Sequence, residues 1–295
     1  LTLRQKAPAK INLNLAVHGR RGDGYHELTS LVAFAGTGDA LSLEAGAASG
    51  LSISGPFAEG LEADGGNLVL RAAQNLAGLV PTLRMGRFHL VKRLPLASGI
   101  GGGSADAAAA LRLLAALNGL EAGHPALEEA ARLTGADVPV CLRSRACVMS
   151  GAGEILGPGL SLPPLFAVLV NPGVAVATAA VFAGLGLEPG QAARPRGEGT
   201  PEESWSEGWR DGLGFMRRLA EGQGNDLQEP ALGLAPVMGE ALDALAGLEG
   251  CRLARMSGSG ATCFALFDDC RASARAAAAL RAKRPGWWVK ATALQ

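Results

Sequence analysis

The chain has 295 residues, 48% of them hydrophobic and 18% charged, with 27 basic residues balanced by 27 acidic ones. That length and apolar content support a sizeable core, near the size at which one core becomes two, and exclude an extended disordered polymer. A formal net charge of zero excludes a global basic field for nucleic acid or an anionic membrane, so any bound anion must be held by a local device.

Taken in chain order, residues 9 to 18 alternate around Ile11, Leu13, Leu15 and Val17 and predict a strand. The glycine-punctuated loop 19-GRRGDGYH-26 follows, then a second strand over 28-LTSLVAFA-35. Leu68, Leu70, Ala73, Leu76 and Val80 recur at near-helical spacing and predict a helix over 67–80. A strand is expected over 88–94, a glycine loop after it, a helix over 104–120 and another over 126–133 that stops at Gly135. A strand over 163–170 opens the second half. The Pro-, Gly- and charge-rich stretch 189–209 predicts an exposed loop. Helices over 212–221, 237–247 and 271–284 and strands over 252–256, 261–267 and 287–294 complete the chain. Interleaved strands and helices imply a mixed α and β protein of two lobes, divided as 1–160 and 161–295.

The five cysteines, at 141, 147, 251, 263 and 270, are odd in number and show no metal-binding spacing, which suits a reducing, cytoplasmic setting. Arg4, Lys6, Lys10 and Asn12 interrupt the N-terminal stretch, so it does not read as a signal-peptide core, and no apolar run reaches membrane-span length.

The most informative local stretch is 96-LASGIGGGSADAAAA-110. Glycines at 99, 101, 102 and 103 let the main chain take positive φ and approach a ligand closely. The loop feeds a helix whose unpaired N–H groups and dipole favour an anion such as phosphate. The same cluster also serves elsewhere as an ordinary tight turn between strand and helix. Ser104 is placed to cap the helix or to donate to a phosphate oxygen, and the carboxylate of Asp106 must point away from any bound triphosphate. No lysine in the chain follows a glycine, so there is no Walker A loop; the protein-kinase H-R-D and D-F-G motifs are absent; and Ser104 stands where a dinucleotide-binding G-x-G-x-x-G needs its third glycine.

The N-terminal run 8-PAKINLNLAVHGRRGDGYHEL-28 gathers Lys10, Asn12, His18, Arg20, Arg21, Asp23, Tyr25 and His26 on one strand and its loop. A solvated edge strand with a polar turn accounts for any one of these residues. Tyr25, however, is the only tyrosine in the chain and sits beside His26 in a loop.

These stretches, with 135-GADVPV-140 and 256-MSGSGATCFALF-267 in the same order, resemble the GHMP small-molecule kinases, named for galactose, homoserine, mevalonate and phosphomevalonate. PAKINL with GRRGDGYH is similar to the members that act on a cytidyl-diphosphate-linked methylerythritol. The resemblance implies an α+β, two-lobed fold. Its N-terminal lobe has a left-handed βαβ crossover, an exception to the usual hand, its C-terminal lobe is ferredoxin-like, and ATP and substrate share a cleft. It implies phosphorylation by ATP of the 2-hydroxyl of that substrate in non-mevalonate isoprenoid precursor synthesis, with Mg²⁺ inferred from the reaction type.

Residue by residue, the resemblance makes Asp137 the catalytic aspartate and Lys10 its partner. It makes Leu96, Ala97, Ser98, Gly99, Ile100, Gly101, Gly102, Gly103 and Ser104 the loop around the ATP phosphates, with Asn67 near the nucleotide base. Tyr25 and His26 match residues that stack on and hydrogen-bond cytosine, Thr178 and Phe182 match the substrate pocket with Phe182 as the second face of a cytosine sandwich, and Asn12 matches a polar residue near the transferred group. Taken without the family, Asp137 reads as a helix N-cap. Three alternatives stand beside this reading: another GHMP kinase with a substrate lacking a base, a non-catalytic nucleotide-binding regulator on the same fold, and a dehydrogenase.

Overall fold

The computed structural model describes residues 1–193, 205 and 211–295. Most of the stretch 189–209, expected to be an exposed loop, lies outside the described residues. The chain runs through β1 (Thr2–Asn12), β2 (Ala16–Arg20), β3 (His26–Ala45), β4 (Gly50–Ser54), α1 (Leu68–Leu79), β5 (Gly86–Val91), α2 (Gly102–Asn118), α3 (Pro125–Thr134) and α4 (Val138–Arg143). It continues through β6 (Cys147–Gly151), β7 (Ile155–Leu156), β8 (Leu165–Asn171), α5 (Thr178–Ala183), α6 (Gly212–Glu221), α7 (Gln228–Leu234), α8 (Val237–Ala246), β9 (Leu253–Met256), β10 (Cys263–Phe267), α9 (Cys270–Lys283) and β11 (Trp288–Leu294). Among the described residues no helix is long and apolar enough to cross a membrane.

Two compact units form, one from Leu1–Lys10, Thr37–Leu96 and Gly101–Ser144, the other from Ile11–Gly36, Ala97–Ile100 and Arg145–Gln295. They interleave along the chain. The physical reason is β3, a strand long enough that its residues up to Gly36 cluster with one unit and those from Thr37 with the other.

In the first unit, β3 pairs antiparallel with β5, Ala40–Ala45 running against Val91–Gly86. β4 pairs parallel with β5, and α1 connects the two, which makes a βαβ unit. Residue 38 is glycine because the main chain of β1 passes so close that a Cβ there would lie 2.3 Å from the Ala7 carbonyl oxygen. Helix α2 begins at Gly102, two residues before the predicted start, because Gly101 takes the left-handed conformation (φ 62°, ψ 26°) and acts as N-cap. Its alanines at 105, 107, 108, 109 and 110 are all buried, as are Leu111, Leu113 and Leu114. A helix that is apolar on every side is covered on every side, and small side chains let its neighbours approach closely.

Beneath that helix lies a buried ionic triad. Lys92 donates from Nζ to Asp39 Oδ2 and, at 2.7 Å, to Asp106 Oδ2. Burial works against the Lys92 ammonium, yet the two carboxylates outweigh it and hold its pKa above the ordinary value. Asp106 therefore does turn away from the mouth of the glycine loop. Burial pushes its carboxyl up to about 7, opposed by Lys92 and reinforced by Asp39.

In the second unit, β2 and β6 flank the first half of β3. β8, β9, β10 and β11 form an antiparallel set in the order β11-β8-β10-β9. Counted along the chain this is fourth, first, third, second, with helices in both crossovers, which is the ferredoxin-like arrangement expected for the C-terminal half. Its core is built from Val168, Val170, Met238, Cys263, Phe267, Ala277 and Leu280.

The triad generates a stability prediction. In the unfolded chain Asp106 titrates near 3.8, and in the fold near 7. The folded state thus holds a proton that the unfolded state has lost, and the associated stability, full below the lower value, is lost as pH rises through the upper one. Asp106→Asn cannot ionise. Its Tm relative to the wild type should therefore climb between about pH 4 and about pH 7; a constant difference in thermal denaturation across that range would contradict the assignment.

Candidate active site

The first unit holds a close lysine–aspartate pair. Lys10, near the end of β1, is buried, and its Nζ lies 2.8 Å from Asp137 Oδ1; the side chains are 5% and 37% exposed. The lysine charge is thus held from below while one face of the carboxylate stays open. Asp137 occupies the N-cap position of α4, as its bare sequence context suggests, but its side chain makes no capping bond. Its carboxylate is directed at Lys10 instead.

Gly101 stands beside this pair: a Cβ built there would lie 3.3 Å from Lys10 Cβ and 3.8 Å from the Cys141 sulfur. The start of α2, with its unpaired N–H groups, therefore adjoins Lys10 and Asp137 within one unit. Burial, with Asp137 adding to it, pushes the Cys141 thiol up to about 12, so this cysteine is a neutral packing group and no nucleophile. Ser104 falls inside the first turn of α2 and leaves the cap to Gly101. Asn67 caps α1, accepting from Val69 N at 3.0 Å and donating to the Glu62 carbonyl at 3.0 Å. The next residue, Leu68, brings its Cδ1 within 3.2 Å of where a Gly103 Cβ would be, so the cap of α1 adjoins the first turn of α2.

Arg112 was not singled out by the sequence. From α2 its guanidinium donates to the carbonyls of Cys141 (2.8 Å), Leu142 (3.2 Å) and Lys6 (3.3 Å). One side chain thereby ties the helix that carries Asp137 to the strand that carries Lys10. Only a lone arginine in an apolar helix marks it in the sequence.

The second unit holds the other expected residues. Residues 97 to 100 pack against the turn 257-SGSG-260. Gly99 (φ 71°) lies so close that a Cβ would meet Gly260 O at 2.5 Å and Ser257 O at 2.7 Å. Gly258 faces Gly99 in return, with 2.7 Å from its built Cβ to Gly99 O. Two glycine turns lie back to back, a packing that no side chain would permit. Ser98 O accepts from Thr262 N at 3.1 Å and closes the contact.

Asn12 donates from Nδ2 to Ser30 Oγ at 2.7 Å, and its main-chain N–H donates to Ser257 Oγ at 3.0 Å. Its Oδ1 is buried without a partner, next to Gly258. Thr178 Oγ1 lies 2.9 Å from Ser259 Oγ.

Tyr25 is 64% exposed, and the loop before it is pinned by Arg20. That guanidinium donates to the Gly24 and Leu187 carbonyls at 3.3 and 3.1 Å. Arg21 holds the same loop through Glu154 at 3.1 Å. The His26 ring lies against Phe182, with centroids 4.7 Å apart and planes tilted by 30°. His26 Nε2 is buried and unpartnered. Burial, helped by the charge of Arg20, lowers the His26 pKa and favours a neutral imidazole able to read a polar edge. Phe182 is thus engaged with His26, while the open aromatic face of the site is that of Tyr25.

Comparison with known proteins agrees with this geometry. The GHMP kinases N terminal domain matches residues 67–145 and the GHMP kinases C terminal domain matches residues 209–286. A 4-diphosphocytidyl-2-C-methyl-D-erythritol kinase of Methylobacterium radiotolerans is 60% identical over 294 residues, 99% of each chain. One of Xanthobacter autotrophicus is 54% identical over 99% of each. Among solved structures, a 4-(cytidine 5'-diphospho)-2C-methyl-D-erythritol kinase superimposes with a TM-score of 0.76 at 36% identity over 99% of both chains. The homoserine kinase of Cytophaga hutchinsonii shares the fold, with a TM-score of 0.65 at 19% identity over 99% of this chain and 94% of its own. The chain belongs to the GHMP kinase family, on the branch of the 4-diphosphocytidyl-2-C-methyl-D-erythritol kinases.

Proposed function

We propose that this kinase transfers the γ-phosphoryl group of ATP to the 2-hydroxyl of 4-diphosphocytidyl-2-C-methyl-D-erythritol, giving the 2-phosphate and ADP in non-mevalonate isoprenoid precursor synthesis. The observation that carries the reading is the Lys10–Asp137 pair, 2.8 Å apart and adjoining the bare main chain at the start of α2. Phosphoryl transfer asks the protein for positioning and charge neutralisation. The substrate oxygen forms its bond to phosphorus as the bond from phosphorus to the ADP oxygen breaks, and Asp137 takes the hydroxyl proton. Lys10 offsets the negative charge that shifts between oxygens. Main-chain amides between Ala97 and Ser104 hold the triphosphate.

On the substrate side, the exposed ring of Tyr25 stacks on cytosine and neutral His26, braced by Phe182, reads its polar edge. Asn12 and Thr178 complete the pocket. A substrate without a base, as in the homoserine- or galactose-type alternatives, would leave these three rings without a task. Asn67, the cap of α1, belongs to the nucleotide side because that cap adjoins the first turn of α2.

Mg²⁺ accompanies ATP in this reading. Asp106 is turned to Lys92 and Asp137 to Lys10, and among the described residues no three His, Cys, Asp or Glu side chains group to hold a metal. An ion there would be held chiefly by nucleotide phosphate oxygens and would supply neutralisation of their charge. The division of labour between an ATP-handling N-terminal part, 1–160, and a substrate-completing C-terminal part, 161–295, is supported by the places of the two matched family domains. A cytoplasmic setting is supported by five free cysteines.

Two outcomes test the assignment in a coupled ADP-release assay over a panel of alcohols. Asp137→Asn should lower kcat about 100-fold or more, as loss of a general base does, with KM for ATP little changed; near-normal turnover would remove Asp137 from the mechanism. Tyr25→Ala should raise KM for the cytidyl substrate about tenfold, the worth of one base–aromatic stack, and spare ATP. Equal loss for both ligands would contradict the cytosine assignment.

A further inference from the structure

We propose that Asp39, Lys92 and Asp106 act as a positioning clamp that sets the shape of the phosphate loop for nucleotide binding. The inference rests on the kinase reading and assigns a role to three residues which that reading does not use.

Asp39, on β3, accepts at Oδ1 from the main-chain N–H groups of Arg93 and, at 2.8 Å, Leu94, the residues that lead into the loop. At Oδ2 it accepts from Lys92 Nζ, and the same ammonium reaches 2.7 Å to Asp106 Oδ2 in the second turn of α2, beyond the loop. Both ends of the loop are therefore tied through one cluster. The ammonium also lies beneath the first residue of the helix, since a Cβ at Gly102 would sit 3.3 Å from Lys92 Nζ.

All three side chains are buried. Two carboxylates around one ammonium in a dry interior are a poor source of stability, since well-packed apolar residues often do as well or better. Asp106 Oδ1 is in addition buried without a partner, a further cost. Such a cluster is explained by the geometry it enforces. The glycines at 99, 101, 102 and 103 leave the main chain free at those points, and that freedom must be removed for its amides to meet phosphate at fixed spacing. Anchoring its two ends removes that freedom before the ligand arrives.

The test measures ADP and CDP affinities of the full chain by calorimetry with Mg²⁺ present. Asp106→Ala should weaken ADP about tenfold or more, the scale of a displaced binding element, and leave CDP unchanged to within about twofold. Asp106→Asn, which still accepts from Lys92, should recover most of the ADP affinity. Unchanged ADP binding in a folded Asp106→Ala protein, equal weakening of ADP and CDP, or failure of the Asn variant to recover would each overturn the clamp. If Asp106→Ala does not fold, Asp39→Asn keeps one oxygen for the Arg93 and Leu94 amides but sets an NH2 group, which cannot accept, against Lys92 Nζ, and should show the same split; unaltered ADP affinity there overturns the proposal. A wild-type protein that binds no ADP and turns over no alcohol would instead sink the kinase reading itself.

Discussion

The glycine-rich stretches of this molecule depend on main chain that approaches its neighbours with no side chain of its own in between. Gly99 and Gly258 lie back to back in one unit, and Gly101 rests on Lys10 in the other. A Cβ at Gly99 or Gly258 would overlap its neighbour, and positive φ at each adds a second reason for glycine. Main chain so bare has little packing of its own, so its surroundings must hold it. They do this with hydrogen bonds to carbonyl and carboxylate oxygens more than with hydrophobic contacts.

The same economy appears in the buried charges. Lys10 is paired with Asp137 and Lys92 with Asp39 and Asp106. Arg112 and Arg255 spend their guanidinium donors on main-chain carbonyls, Arg255 on Leu13 and Leu219. Burial lowers the pKa of both arginines, that of Arg255 to about 10, which still leaves them charged at neutral pH. Each joins segments far apart in sequence at points where an apolar contact would hold position less strictly. A chain of zero net charge thus concentrates local charge at the places where strands and helices must keep register.

Much of the fold was legible from periodicity. α1, α6, α8, α9, β9 and β11 fall within a residue or two of their expected limits, because each has a clear apolar stripe or alternation and a capping or breaking residue at its ends. Asp269, for example, caps α9 through the N–H groups of Arg271 and Ala272. The elements that escaped are short or disguised. α4 has six residues, too few for a stripe to show; β4, β6 and α5 are similarly brief. The start of β1 is polar at its exposed end. α2 opens on Gly102 and Gly103, which read as loop, so the expected helix begins only at Ser104.

The sequence by itself determined the chemistry: which residue types are present, the glycine loop opening a helix, and an ordered set of motifs that resembles this kinase family. Those features are local, and local geometry is written in neighbouring residues. Only the tertiary structure decided that Asp137 faces Lys10 across 127 positions of chain, that Asp106 turns to Lys92 rather than to phosphate, and that Phe182 braces His26. Contacts of that kind carry no periodic signal, because they arise when separate elements pack and each buried polar group must find a partner among whatever packing brings near.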